Sequence, residues 1–209
     1  MEYNEKQISI MESAERLFAE RGFAGTSVRD IVDEARVNIA MVSYYFGSKE
    51  KLLESIFKYR GENIRLQLET LVQDQKMSSM EKVFLLIGTY IDRMMERQNF
   101  HKIMAREQMV NATGATHKLI HQLKKTNQDL VQRLIAEGQK KGEFKKNIDV
   151  PLMMATLIGT TSNLFTTQHY YREINKLQSM PDEQFQAHLK KKLNLHLKTI
   201  FKSILTYEA

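Results

Sequence analysis

The sequence contains no cysteine, which removes disulfides, thiolate metal sites and a cysteine nucleophile from consideration at once. Two prolines and nine glycines are few for 209 residues, so little stops a helix once it has begun. No long apolar run exists either. The longest nearly uncharged stretch, Val150 to Tyr171, holds Pro151 and a dense set of Thr, Ser, Asn and Gln, a polarity that argues against a membrane span. Met1 to Ile10 is polar and of mixed charge, unlike a signal peptide, and a cytoplasmic location is the expectation. Glycine-rich phosphate loops and dinucleotide fingerprints are missing, and no catalytic constellation stands out. Neither a cofactor nor an enzyme activity is expected.

Charge is plentiful but oddly placed. The net charge is +6, yet residues 1–60 hold nine Lys/Arg against ten Asp/Glu, so the basic excess lies in the remaining 149 residues. Global charge therefore gives no argument for nucleic-acid binding, and local placement must supply it.

Apolar residues recur at spacings of three and four, the signature of helices. The first helix is expected from about Glu5 to Arg21, stopped by Gly22 as a left-handed cap. Ser27 and Asp30 form the S-x-x-D pattern of a capping box, which opens a short second helix burying Val28, Ile31, Val32 and Ala35. Asn38 is a credible cap for a third helix ending at Phe46-Gly47, and Ser48 for a long fourth one with Glu50 near its positive end. Further helices are expected at about Met80–Arg97, Phe100–Asn111, His117–Lys141, Pro151–Tyr171 and Asp182–Tyr207. The last has Phe185, Leu189, Leu193, Leu197, Ile200, Phe201, Ile204 and Leu205 in one stripe.

Two short helices joined by the tight turn Arg36-Val37-Asn38 match helix-turn-helix geometry. Neither is stable alone at that length, so they must pack on the first and fourth helices. When such a third helix enters the major groove, its first turn reaches base edges. That turn is Asn38, Ile39, Ala40 and Met41, with Ser43 and Tyr44 projecting nearby. Thr26, Ser27, Tyr44, Tyr45 and Lys49 suit phosphate contacts, although capping also explains Thr26 and Ser27 and core packing also explains Tyr45.

The run Gly22-Phe23-x-x-Thr26-Ser27-Val28-Arg29-Asp30-Ile31, then Val37-Asn38, then Tyr44-Tyr45-Phe46-Gly47-Ser48-Lys49-Glu50-x-Leu52-Leu53 resembles the TetR family of bacterial regulators. The resemblance is tight over the first ~55 residues and agrees with the family in length and helix number. It implies an all-α fold of about nine helices, with a helix-turn-helix domain at 1–47 and a ligand-binding and dimerisation domain at 48–209. The family's DNA contacts fall on Thr26, Ser27, Asn38, Ile39, Ala40, Met41, Ser43, Tyr44, Tyr45 and Lys49. Many members carry Lys-Gly where this chain has Ile39-Ala40, and an aromatic where it has Ser43. Here Ile39 and Met41 are placed to meet thymine methyls.

The resemblance further implies a pseudo-palindromic double-stranded operator, a homodimer through about 151–171 and 182–207, and a small-molecule effector. Gly159, Thr160, Thr161 and Ser162 are small enough for close helix approach, and the apolar stripe of the last helix is read as dimer surface in preference to intrachain core. Candidate pocket residues are Tyr90, Met94, Phe100, Met104, Met109, Phe165 and Gln168, although Met at helical spacing also suits ordinary core. His117 and His121 share a helix face but lack the Glu of a zinc-protease motif, so no metal is expected. Asn111-Ala-Thr113 matches a glycosylation acceptor by chance alone. Two readings compete: a DNA binder with no small-molecule effector, answering to a protein partner or to none, and an all-helical carrier or enzyme whose N-terminal unit is merely structural, which leaves the hydroxyl-and-Lys pattern unexplained.

Overall fold

In a computed structural model, residues 3–110 and 114–207 are described. The described residues form ten helices and no strand: α1 Glu5–Arg21, α2 Val28–Ala35, α3 Ala40–Phe46, α4 Lys49–Gln73, α5 Ser79–Glu96, α6 Gln98–Val110, α7 Ala115–Lys140, α8 Val150–Thr166, α9 Gln168–Ile174 and α10 Asp182–Leu205. They group into two compact units. One comprises residues up to Gln67 with Arg97–Asn127; the other comprises Leu68–Glu96 with the chain from Gln128 onward.

In the first unit, caps set the helix ends. Asn4 and Gln7 cap α1 reciprocally, and Ser27 and Asp30 do the same for α2, as their spacing predicts. Gly22 does end α1, but its φ of 78° comes with a ψ of 166°. The turn is extended rather than left-handed helical, a backbone region open to glycine almost alone. α3 starts at Ala40 with Ile39, not Asn38, in the cap position; Asn38 lies one residue earlier, its Oδ1 accepting from the Ala40 N–H at 2.8 Å. Ser48 Oγ likewise accepts from the Lys51 N–H at 3.2 Å at the start of α4.

The short α2 and α3 are held by burying Ile31, Val32, Val42 and Phe46 against Ile10, Phe18, Leu52 and Phe57. α6 adds Phe100, whose ring centroid lies 5.4 Å from that of Phe57, and α7 adds Ile120. This unit exceeds the 1–47 head because helices that short need α4, α6 and the start of α7 to complete their core. α1 and α4 are also joined by a buried ion pair, Arg60 Nε to Glu15 Oε2 at 2.9 Å. At Gly61 a Cβ would fall 2.4 Å from Leu123 Cδ2, so a larger residue there would force that leucine side chain to move.

The second unit is organised by α10. Phe185, Leu189, Leu193, Leu197, Phe201 and Leu205 recur every four residues and are all buried, packed with Ile87, Ile91, Leu157 and Phe165; Ile200 and Ile204 are half-buried. That stripe is intrachain core, which corrects its reading as dimer surface. The expected single helix over 151–171 is also broken, at Thr167, into α8 and α9. Hydroxyls of Thr166 and Thr167 donate back to the carbonyls of Ser162 and Asn163, both at 2.8 Å, a competition that bends or ends helices. No proline or glycine marks the spot.

Candidate nucleic-acid interface

The helix-turn-helix places its residues unequally. Thr26 is 1% exposed, and its hydroxyl donates inward to the carbonyls of Gly22 (2.9 Å) and Leu17 (3.3 Å). It fastens the α1–α2 turn, which removes its side chain from the expected contacts. Lys49 is also engaged within the chain. Its ammonium donates to the carbonyls of Phe23 (2.9 Å) and Thr26 (2.7 Å) and lies 4.3 Å from the Phe23 ring centroid. Lys49 looks like a surface group in the sequence because its partners lie more than twenty residues away, whereas Thr26 turns inward onto carbonyls four and nine residues before it.

The exposed set is narrower. Ser27 is exposed and occupied by capping, its Oγ accepting from the Asp30 N–H. Asn38, Ile39, Ala40, Ser43 and Tyr44 are exposed along one side of α3, whereas Met41 and Tyr45 are half-buried against the core. Ile39 is 51% exposed and Tyr44 83%, an unusual amount of uncovered apolar surface for one short helix. The Tyr44 and Tyr45 rings meet edge-on with centroids 5.0 Å apart, so Tyr45 steadies its neighbour. Sequence reasoning overlooked Arg29, which is exposed in the first turn of α2, where phosphate-binding cations and helix amides act together.

The Asp30 carboxyl is held below its ordinary range, first by the Ser27 hydroxyl, then by the Ser27 N–H, with Arg21 3.6 Å away adding attraction. A carboxylate with a lowered folded pKa contributes stability above its unfolded pKa, and that contribution fades as pH falls through the lowered value. Protection of the amides at the start of α2, measured relative to their intrinsic exchange rate at each pH, should therefore fall as the carboxyl is protonated, and Asp30→Asn should show reduced protection already at neutral pH. Equal protection in both proteins would remove the box from the account.

Residues 10–56 match the family model described as bacterial regulatory proteins of the tetR family, and residues 76–166 match a tetracyclin repressor-like C-terminal domain. The chain belongs to the TetR family. It is 32% identical over 136 residues to the probable HTH-type transcriptional regulator YttP of Bacillus subtilis, an alignment spanning 65% of each chain. It is 26% identical over 164 residues to the fatty acid metabolism regulator protein of B. subtilis, covering 78% of this chain and 82% of that one. Two solved structures share the fold. The B. subtilis regulator FadR in complex with stearoyl-CoA has a TM-score of 0.68 at 21% identity, covering 92% of this chain and 97% of that one. The ketosteroid regulator KstR2 of Mycobacterium tuberculosis has a TM-score of 0.71 at 20% identity, covering 99% and 98%.

The seven candidate pocket residues are divided between the two units, four of them in the second. Met94 and Phe165 are buried in its core, with Tyr90 packed against them and its hydroxyl's ionisation pushed up by burial. Gln168 is half-buried, and its Oε1 accepts from Gln186 Nε2 at 3.0 Å. The other three candidates lie in the first unit. Phe100 is 2% exposed in its core. Met104 packs against the same core, and Met109 is 85% exposed. A groove of about 370 Å³ on the second unit is lined by Met77, Phe84, Leu85, Gly88 and Thr89 together with the charged Glu81, Asp92 and Lys198, and it involves none of the seven. Among the described residues no cluster of three or more His, Asp or Glu is placed to hold a metal, and no helix is long and apolar enough to cross a membrane. Asn111, Ala112 and Thr113, the glycosylation-like triplet, lie outside the described residues.

Proposed function

We propose that this protein is a dimeric, ligand-responsive repressor, without catalytic activity, that acts in the cytoplasm on a two-fold operator. One observation carries the reading: α3 and the turn before it leave Asn38, Ile39, Ala40, Ser43 and Tyr44 uncovered together, a mix of hydrogen-bonding and apolar groups on one short helix of a helix-turn-helix. Laid in the major groove, that surface offers Asn38 and Ser43 as hydrogen-bonding groups and Ile39 to thymine methyls. Ser27, Arg29 and the first amides of α2 face phosphates, with the Tyr44 hydroxyl beside them. Residues 1–47 act as the reading head and 48–209 as the ligand-binding and dimerisation domain.

Two half-sites about one helical turn apart, ~34–36 Å, require a symmetric pair of heads. With its apolar stripe spent on its own core, α10 offers Leu195, 67% exposed, to a partner. α8 offers Leu152 (65%), Ala155, Ile158 and Gly159, and Gly159 has no neighbouring atom within 4 Å of where a Cβ would stand. Of the small residues expected at this spot, Gly159 is open for close approach and Thr160 and Ser162 are half-buried, whereas Thr161 is buried in its own chain.

The relatives named for fatty acid metabolism, one of them solved with stearoyl-CoA, support a long-chain acyl thioester as the effector class. The apolar interior of the second unit, with Met94, Met153 and Phe165, suits such a chain. The ligand acts by favouring a conformer in which the two heads are wrongly spaced. Selection of bound duplexes from random DNA by the purified protein, followed by titration of stearoyl-CoA, tests both parts. A palindromic site should emerge, and stearoyl-CoA should weaken binding to it at least about tenfold, the coupling usual for allosteric ligands, while free coenzyme A does not. Failure to enrich any sequence overturns the operator reading and favours a carrier; enrichment with no response to stearoyl-CoA overturns only the effector class.

A further inference from the structure

A head that must meet a polyanion begins with an unfavourable balance, nine Lys/Arg against ten Asp/Glu in residues 1–60. Folding changes it. Segment 97–127 packs into the same compact unit as the helix-turn-helix. It carries six cations, Arg97, Lys102, Arg106, Lys118, Lys124 and Lys125, against one acid, Glu107. All six cations are exposed, whereas Glu107 is buried. The exposed charges that α6 and the start of α7 add to this unit are therefore all positive.

Arg106 fixes where that surface lies. A Cβ on Gly22 would fall 2.6 Å from Arg106 Nη1, so the guanidinium lies close against the glycine. The Gly22 carbonyl accepts the Thr26 hydroxyl at 2.9 Å, and Ser27 caps α2 immediately afterwards. Arg106 thus sits beside the turn that leads into the phosphate-facing end of α2. Among the described residues neither Arg106 nor Lys102, one turn earlier on α6, forms an ion pair. A cation also suits the C-terminal end of α1. That explains one arginine and leaves the charge of the whole segment unexplained.

We propose that the outer face of α6, centred on Arg106 and Lys102 and continued by the basic start of α7, is a second DNA-contacting surface. It grips the phosphate backbone flanking each half-site, independent of sequence and outside the helix-turn-helix. The proposal rests on the DNA-binding reading above and extends its footprint. Nothing on this face reads bases: it offers point charges and one guanidinium fork, which fit phosphate oxygens.

Salt dependence tests it, because each phosphate contact contributes about 0.9 to the slope of log K against log salt. The full-length protein is titrated by anisotropy onto two duplexes, one trimmed to the selected site and one extended by about one helical turn on each side. On the long duplex R106Q should lower the slope by about one and K102Q/R106Q by about two, while R106K keeps it. On the trimmed duplex, wild type and variants should converge. K191Q makes the same charge change on the exposed side of α10 in the other unit and should leave the slope alone. Wild-type slopes for R106Q and the double variant on the long duplex overturn the proposal, as does an equal loss in K191Q. A fall in thermal stability of R106Q with an unchanged slope assigns Arg106 to the end of α1 and also overturns it. Wild-type protein that binds no duplex in a salt-dependent way overturns the DNA reading itself, a failure visible before any variant is made.

Discussion

Glu15→Ala should cost about 3–5 kcal/mol of unfolding free energy, the usual penalty for leaving one member of a buried pair uncompensated. Glu15 and Arg60 are each nearly buried, at 8% and 7% side-chain exposure, with Nε and Oε2 2.9 Å apart. Their pairing ties α1 to α4 beneath the reading head. Glu12 also approaches Arg60, at 3.7 Å, but its side chain is 56% exposed and reaches only the edge of the guanidinium. Glu12→Ala should therefore cost about 1 kcal/mol or less, as solvated pairs do. The decisive variant is double. In Glu15→Leu with Arg60→Met both charges leave together, and most of the lost stability should return, because paired burial is costly in desolvation to begin with. Urea midpoints read all three. An unfolding free energy for Glu15→Ala within about 1 kcal/mol of wild type would mean that water or Glu12 solvates Arg60 after all.

The contrast between those two glutamates marks what a sequence can and cannot convey. Local devices are legible because their partners lie within one turn. Ser27 with Asp30, Ser48 before Lys51, and Gly22 closing α1 all stand where their spacing puts them. The period of α10 is equally plain, since Phe185 through Leu205 repeat every four residues. What that stripe packs against is not plain, and it proved to be its own chain. The break at Thr167 escaped notice because threonine hydroxyls back-bonding to carbonyls carry no distinct spacing. Partners distant in sequence were hidden altogether: Arg60 is 45 residues from Glu15, and Lys82, fully buried on the carbonyl of Val72, is 55 from Glu137.

The site shows the same division. Asn38, Ile39, Ala40, Ser43 and Tyr44 are exposed because amphipathic periodicity fixes which side of α3 packs, and the sequence carries that period. Thr26 and Lys49 share the chemistry of phosphate contacts, but chemistry alone does not say which way a side chain turns. The charge balance of the head was misleading for a related reason. Counting along the chain stops at residue 60, whereas the compact unit gathers the basic segment 97–127 as well.

Lys49→Met should therefore behave unlike the loss of a phosphate contact. Two of the three ammonium donors of Lys49 are committed to the carbonyls of Phe23 and Thr26, and its charge lies over the Phe23 ring. Methionine keeps the length and apolar stem but leaves both half-buried carbonyls without that donor. Charge-assisted bonds of this kind contribute roughly 1.5–3 kcal/mol each, and water recovers part of the loss, so a fall of about 2–3 kcal/mol in unfolding free energy is expected. Operator affinity should fall too, because Phe23 and Thr26 frame the turn that aims α2. The slope of affinity against salt should stay at its wild-type value, since no phosphate loses a cation. A direct phosphate contact predicts the reverse: near-normal stability and a slope lower by about 0.9. Unfolding curves and salt titrations on the same protein separate the two, and a reduced slope with intact stability would return Lys49 to the DNA surface.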